Sequence, residues 1–355
     1  MSMMKNNKPT VTLIGSVAGR GGLETVVTHV LTSPIINENL NLSFFIFRKV
    51  KFNDFFAKLK HVKIDKTKHT NNLICLARLV AFLITFQGEA LVIMTPNIIP
   101  IANLIKRVFF KRYRIISWMH NSNQDQALDY TKLNKAEDHL AISNEIKQEI
   151  VNEGVAPEQI KVIFNPIKPE QRTILPLENE CRFIYISRIL LDGQKNLRGL
   201  LNCLSNLSGK WTFEIYGKGP DFAEAQRLVE QKPNLKDKVI FKGWVSDPWK
   251  QIKNANALLL NSNYEGFGMV LAEAMSYGVP CISSDCVAGP SDIIKQGVNG
   301  FLYPVNDEET LHVYLQKFVS HQVNFDSQTV KSSIDFLYEN QYDERFVKVI
   351  ENFLK

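Results

Sequence analysis

The sequence predicts an α/β protein made of two successive, doubly wound parallel sheets. Short apolar runs rich in branched and aromatic residues recur with room for one helix between neighbours, the pattern of strand–helix–strand units. The series closes near residue 167 and restarts at RFIYISR (182–188). Length agrees, since 355 residues exceed one ordinary core and suit two domains of about 150–180 residues each.

The first strand is TVTLIG (10–15), apolar throughout as a strand covered on both faces should be. A glycine-rich turn, Gly19-Arg20-Gly21-Gly22, and a helix from Leu23 to Leu31 follow it. LSFFIF (42–47), ALVIMT (90–95) and RIISWM (114–119) continue the strands, with an apolar helix at Leu73–Thr85. HLAIS (139–143) and KVIFNPI (161–167) close the first half. The second half reads as strands at 182–188, 211–217, 238–244, 255–261 and 279–284, again with helices between. KPEQRTILPLENE (168–180), rich in proline and polar residues, reads as the linker, so the domains are placed at 1–170 and 171–355. Two such units imply a cleft, and sheets of this kind bind ligands outside the carboxyl ends of their strands.

Composition narrows the function classes. Hydrophobic residues at 45% with 22% charged belong to a globular chain, not a disordered one. The longest apolar stretch, Leu73 to Phe86, is interrupted by Arg78 and falls short of the roughly 20 residues of a spanning helix. The start, MSMMKNNKPT, runs into VTLIGS without a signal-peptide apolar region, which points to the cytoplasm. Cys75, Cys181, Cys203, Cys281 and Cys286 are scattered without CxxC and read as reduced core residues. No His/Cys grouping has metal-ligand spacing, and no Asp-x-Asp occurs.

Charge is uneven: residues 1–170 hold 22 Lys and Arg against 14 Asp and Glu, whereas residues 171–355 hold 20 against 22. No nucleic-acid module accompanies this excess, so an anionic membrane surface is the better partner.

The stretch LNSNYEGFGMVLAEAMSYGVPCISSD carries the most chemistry. Glu265 falls in the loop after a strand, and Glu273 on the second turn of a helix beginning near Gly268. Two such carboxylates can straddle one ligand while first-turn N–H groups face an anion between them, which suits a sugar nucleotide. By itself E-x7-E is a weak motif, equally read as two solvated glutamates on an ordinary helix.

EGFGMVLAEAMSYGVPCISSD resembles the donor-site pattern of the retaining glycosyltransferases of family 4. GRGGLET, WMHNS, AISNEIKQEIVNEGV, VIFNPI, SRILLDGQKN, IYGKGPD and FKGWV match further parts of that pattern in order, over nearly the whole chain. SWMHNS, HLAISNEIKQ and CISSDCVAGPSDIIKQGVNGFLY are most similar to its bacterial lipopolysaccharide-core 1,6-galactosyltransferases. The resemblance implies a GT-B architecture of two Rossmann-like domains facing across a cleft. The first would bind the acceptor and the second the nucleotide sugar, with the last helix (about 344–355) crossing back to the first. The implied reaction is retaining and metal-independent, needs no cofactor, and moves a hexose, foremost galactose, from a UDP-sugar to the lipopolysaccharide or lipooligosaccharide core. Transfer of glucose or N-acetylglucosamine, phosphorolysis, epimerisation, or inert binding of a nucleotide sugar are the alternatives. The implied partners are a UDP-hexose, a lipid-linked core oligosaccharide and the cytoplasmic face of the inner membrane, and no nucleic acid.

Roles follow residue by residue. Arg188 and Lys195 match the family's diphosphate-binding cations, which stabilise the leaving group where other enzymes use a metal. Gly22 matches the glycine facing the diphosphate, and Gly268, Met269 and Val270 offer backbone N–H groups to hexose and phosphate. His120 matches the histidine that positions the hexose through its carbonyl or ring. Glu273 resembles the ribose-binding glutamate, since a carboxylate accepts two hydroxyls at once. Glu265 resembles the glutamate facing the transferred sugar. Gly217 and Trp244 match turns around the nucleobase, although a tryptophan there serves packing equally well. Lys106, Arg107, Lys111, Arg112 and Arg114 alternate with Val108, Phe109, Phe110 and Tyr113, the pattern of a membrane-surface patch or of a solvated helix end leading into a strand.

Overall fold

The computed structural model describes residues 8–17, 22–51, 54–57, 59–123 and 128–355. The chain forms two compact units, Met1–Pro166 with Glu339–Lys355, and Ile167–Tyr338.

The first unit is built on seven strands: β1 (Thr10–Gly15), β2 (Asn41–Ile46), β3 (Lys63–Asp65), β4 (Ala90–Ile93), β5 (Arg114–Met119), β6 (Asp138–Ala141) and β7 (Ile160–Val162). They lie in the order β3-β2-β1-β4-β5-β6-β7, and every pair is parallel. The chain leaves β1 toward one edge and returns at β4 toward the other, so the switch point lies between β1 and β4. Helix α1 (Gly22–Thr32) follows β1, α2 (Asn72–Thr85) precedes β4, α3 (Ile99–Val108) precedes β5 and α4 (Asn144–Asn152) precedes β7. Local chemistry starts them: Asn71 caps α2 by accepting from Leu73 N–H at 2.8 Å, and Ser143 caps α4 by accepting from Ile146 N–H at 3.1 Å. Arg78, which interrupts the apolar run of α2, donates to the Ile46 carbonyl at 2.8 Å and covers the Phe45 ring at 4.2 Å.

The second unit is built on β8 (Cys181–Ile186), β9 (Trp211–Tyr216), β10 (Val239–Gly243), β11 (Ala257–Leu260), β12 (Cys281–Ser284) and β13 (Gly300–Tyr303). The parallel order β10-β9-β8-β11-β12-β13 puts the switch point between β8 and β11. Helices α5 (Leu197–Leu204), α6 (Met269–Ser276) and α7 (Glu308–Val319) follow β8, β11 and β13. Phe183, Tyr185, Phe213, Ile215, Leu200 and Leu315 are among the residues of the core on one face of this sheet.

The last helix, α8 (Glu339–Leu354), belongs to the first unit and begins one turn before the 344 read from sequence. Its buried stripe Tyr342, Phe346, Ile350 and Phe353 keeps helical spacing. Its Asp343 accepts from His29 of α1 (Nε2 to Oδ1, 2.7 Å) and from Ser33 (Oγ to Oδ2, 2.5 Å), with Glu339 3.3 Å from the other ring nitrogen. Burial opposes a charge on His29, but the hydrogen bonds to Asp343 and then Glu339 outweigh it and raise its pKa to about 9.

Several expectations shift. The strand expected over KVIFNPI (161–167) spans only Ile160–Val162, and Phe164 just beyond it takes a left-handed φ of 60°. β4 stops at Ile93, and Pro96 opens a short 3-10 turn. The brief, polar β3 and the glycine-led β13 have no clear sequence pattern. At Gly300 a Cβ would fall 2.0 Å from the Cys281 carbonyl, so glycine is what lets β13 close on β12. The segment 168–180 is part of the second unit, with Ile174 buried and its N–H on the Tyr277 carbonyl at 2.9 Å. All five cysteines are buried and unpaired. No described helix is long and apolar enough to cross a membrane.

Candidate active site

In the second unit the loops leaving β8, β9 and β10 are laced together by their backbones. Ser187 N–H donates to Tyr216 O at 3.1 Å, Ile189 N–H to Lys218 O at 3.1 Å, and Gly217 N–H to Gly243 O at 2.8 Å. Two glycines permit this approach: a Cβ on Gly217 would lie 1.9 Å from Ser187 O, and one on Gly219 2.0 Å from Ile189 O. Gly217 therefore has a packing reason to be glycine. Trp244, just past β10, is 61% exposed and free of core packing.

Arg188 stands exposed after β8, its guanidinium donating to Gln194 Oε1 at 3.2 Å. Lys195 turns inward instead. Its ammonium lies 2.5 Å from Glu265 Oε1, and Ser262 Oγ donates to that same oxygen at 2.6 Å. Lys195 follows β8 and Glu265 follows β11, so the pair marks the switch point of the sheet. Backbone and amide bonds stitch these two loops: Asn263 N–H to Gln194 O at 2.8 Å, Asn263 Nδ2 to Gly193 O at 2.6 Å and Asn261 Nδ2 to Asn196 O at 3.0 Å. Sequence reasoning missed Asn261, Ser262 and Asn263. The signal was a polar triplet placed immediately after the apolar strand ALLL.

Gly268 caps α6 at φ 78°, a left-handed turn that favours glycine and aims the first-turn N–H groups of Met269 and Val270 out of the helix. Glu273 sits on the next turn, half-buried, and accepts from the indole N–H of Trp249 at 3.2 Å. Burial raises its pKa, and the Trp249 hydrogen bond partly offsets that.

In the first unit Gly22 is the exposed first residue of α1; Gly19, Arg20 and Gly21 lie outside the described residues. His120 follows β5, its ring 4.4 Å from that of Trp118. Its Nε2 is buried with no hydrogen-bond partner among the described residues, and burial lowers its pKa to about 3. The imidazole is thus neutral at physiological pH, able to accept or donate one hydrogen bond but not to act as a cation.

The basic–aromatic segment divides in two. Tyr113 is buried and bonds the Ala102 carbonyl at 3.0 Å, and Arg114 pairs with Asp138, so neither belongs to a surface patch. Tyr113 packs just ahead of β5, and Arg114 is the first residue of that strand. Lys106 pairs with Glu137, and Lys111 reaches the Phe86 carbonyl at 3.4 Å. Arg107, Phe109, Phe110 (90% exposed) and Arg112 face solvent beside Leu104 and Val108. Helix α2, which packs against α3, exposes Leu73, Ile74 and Leu76 as well.

Residues 167–334 match the family described as glycosyl transferases group 1. The chain is 33% identical to the lipopolysaccharide 1,6-galactosyltransferase of Escherichia coli K12, over 94% of this chain and 96% of that protein. A solved structure of the lipopolysaccharide outer core galactosyltransferase WaaB, in its apo form, superposes with a TM-score of 0.89 at 32% identity, over 97% and 99% of the two chains. Anabaena HepE in complex with UDP-glucose superposes with a TM-score of 0.77 at 16% identity, over 97% of this chain and 100% of that one, a likeness of fold alone. The GT-B architecture of this chain is the one those structures share.

Proposed function

The chain belongs to the group 1 glycosyltransferases, and from that premise we propose that it transfers galactose, with retention and without a metal, from UDP-galactose to a lipopolysaccharide-type core oligosaccharide. The observation that supports this most is the Lys195–Glu265 pair at the β8/β11 switch point, flanked by Arg188 and by the open N-terminus of α6. A sugar nucleotide needs this set: cations and N–H groups for the diphosphate, and a carboxylate for the hexose.

In this reading Arg188 and Lys195 stabilise the charge that develops on the departing UDP. A unit charge about 4 Å away contributes on the order of 4 kcal/mol at an effective dielectric of 20, before desolvation. Gly22, Met269 and Val270 add backbone N–H groups, Gly268 permits the turn that presents them, and Glu273 takes the ribose hydroxyls. Glu265 holds hexose hydroxyls and stabilises positive charge at the anomeric carbon. The leaving phosphate oxygen takes the acceptor proton on the same face, which preserves the anomeric configuration. Neutral His120, whose Nε2 has no partner among the described residues, receives a hexose hydroxyl. Gly217 and Trp244 border the uracil.

The acceptor class rests on the 1,6-galactosyltransferase relative, and with it we assign the enzyme to the cytoplasmic face of the inner membrane. Arg107, Arg112, Phe109 and Phe110 supply cations and apolar side chains for an anionic leaflet. The test is incubation with UDP-galactose, UDP-glucose or UDP-N-acetylglucosamine and core oligosaccharide lacking its galactose branch. An α-linked galactose in the product is expected. Preference for another donor, or transfer with inversion, overturns the reading.

A further inference from the structure

A half-buried carboxylate on a helix needs a donor if it is to stay ionised away from water. Among the described residues the donor that reaches Glu273 is the indole of Trp249, Nε1 to Oε2 at 3.2 Å. Trp249 lies in the short turn Pro248–Lys250 after β10 and is buried. Its ring stacks on Tyr277 with centroids 5.0 Å apart and planes 19° from parallel, and the Arg172 guanidinium lies over Tyr277 at 5.3 Å. Arg172 also donates to the carbonyl of Trp249 itself, and to that of Ile252 at 3.2 Å. The indole is thus held by its ring face and by its backbone, and cannot shift without breaking this column.

We propose that Trp249 is a positioning residue for nucleotide recognition. By occupying Oε2 it fixes the Glu273 carboxylate so that the remaining lone pairs meet a vicinal diol, which selects a ribonucleoside diphosphate over its 2′-deoxy counterpart. The proposal rests on reading Glu273 as the ribose ligand. Two hydroxyl donors require an ionised carboxylate, because a protonated one gives up an acceptor site to its own O–H. The charges around Glu273 bear on that state. Asp247, at the head of the turn and 3.2 Å from Lys250, opposes ionisation, whereas Trp249 favours it. Glu170 and Arg172 act one ring further away, at Tyr277.

The experiment is calorimetric titration of UDP and 2′-deoxy-UDP against the parent, Trp249→Phe and Glu273→Gln, from neutral to mildly acidic pH. Phenylalanine keeps an aromatic ring for Tyr277 and removes the N–H. Trp249→Phe should bind UDP about tenfold to a hundredfold more weakly, the worth of a hydrogen bond to a charged group. Its affinity for 2′-deoxy-UDP should change little. Its UDP binding should also fade at a higher pH than the parent's, because the carboxyl protonates more readily without the indole. An unchanged UDP to 2′-deoxy-UDP ratio with an unchanged acid limb overturns the proposal, even if thermal stability drops.

Glu273→Gln separates the two levels. If it binds UDP like the parent, the ribose reading of Glu273 falls. If it loses UDP while Trp249→Phe does not, only the positioning role falls. Should Trp249→Phe fail to fold, the indole N–H resonance of the unaltered protein decides. It should shift on adding UDP and much less on adding 2′-deoxy-UDP, and equal responses overturn the proposal.

Discussion

The Lys195 ammonium and the Glu265 carboxylate lie 2.5 Å apart at the junction of β8 and β11, both side chains almost fully buried. Seventy positions separate them in the chain, and the parallel pairing of β8 with β11 brings them together. A cation described only as a diphosphate ligand is therefore already engaged before any donor arrives. Ser262 Oγ, on the same carboxylate oxygen at 2.6 Å, can keep Glu265 in place if Lys195 turns to a phosphate.

The pair should betray itself in stability as well as rate. Removing one partner of a buried ion pair leaves an uncompensated charge and costs about 3–5 kcal/mol. Lys195→Met should approach that loss in urea unfolding, and Lys195→Met with Glu265→Gln should lose clearly less than the two single changes added. Strict additivity would show that the two groups act independently.

The two glutamates should separate kinetically. Glu273→Ala should chiefly weaken UDP binding, since ribose contacts exist in ground and transition states alike. Glu265→Ala should chiefly lower turnover, because in the proposed arrangement it faces the reacting sugar. UDP titration and kcat for each variant check this, and an equal affinity loss in both contradicts the assignment.

Transfer should survive chelation. The expectation rests on the missing Asp-x-Asp and on Arg188 and Lys195 as alternative charge stabilisers. Rates with EDTA should equal those without it. A loss restored only by manganese or magnesium would sink the idea.

Much of this arrangement was legible in the chain because strands buried on both faces leave unbroken apolar runs. The runs at 10–15 and 114–119 fall on β1 and β5 residue for residue. Lys63–Asp65 offered no such run, and Gly300–Tyr303 is a strand only because a glycine permits close backbone approach. At the site, single residues were visible but their pairings were not. Lys195 with Glu265, and Trp249 with Glu273, depend on which strands lie side by side, which local pattern does not encode. Tyr113 and Arg114 misled for a related reason: a basic–aromatic run looks the same whether it faces solvent or enters a strand.

His29 should make stability within the first unit pH-dependent. Its pKa rises from 6.5 to about 9 through Asp343 and Glu339, so it stabilises the folded state fully below 6.5 and loses this as pH climbs through about 9. The shift corresponds to on the order of 3 kcal/mol. The stability gap between the parent and His29→Asn should thus be widest in mild acid and shrink toward pH 10. A gap that stays constant across that range would show that His29 contributes packing alone.

Finally, the exposed end of α3 should carry membrane docking. Lys106 and Lys111 have partners within the fold, so Arg107 and Arg112 are the cations presented to solvent beside Phe109 and Phe110. Each contributes about 1 kcal/mol near an anionic leaflet, and the attraction weakens as salt shortens the Debye length from about 10 Å at 0.1 M toward 3 Å at 1 M. Arg107→Glu with Arg112→Glu should release the protein from phosphatidylglycerol vesicles at low salt. Phe110→Ser should weaken the salt-resistant remainder, because an aromatic ring enters the interface by its apolar area and not by charge. UDP binding should be unchanged in all three substitutions, since the residues proposed to hold the uridine and ribose, Gly217, Trp244 and Glu273, belong to the second unit. Variants that still sediment with such vesicles as the parent does would assign this segment to an ordinary solvated helix end.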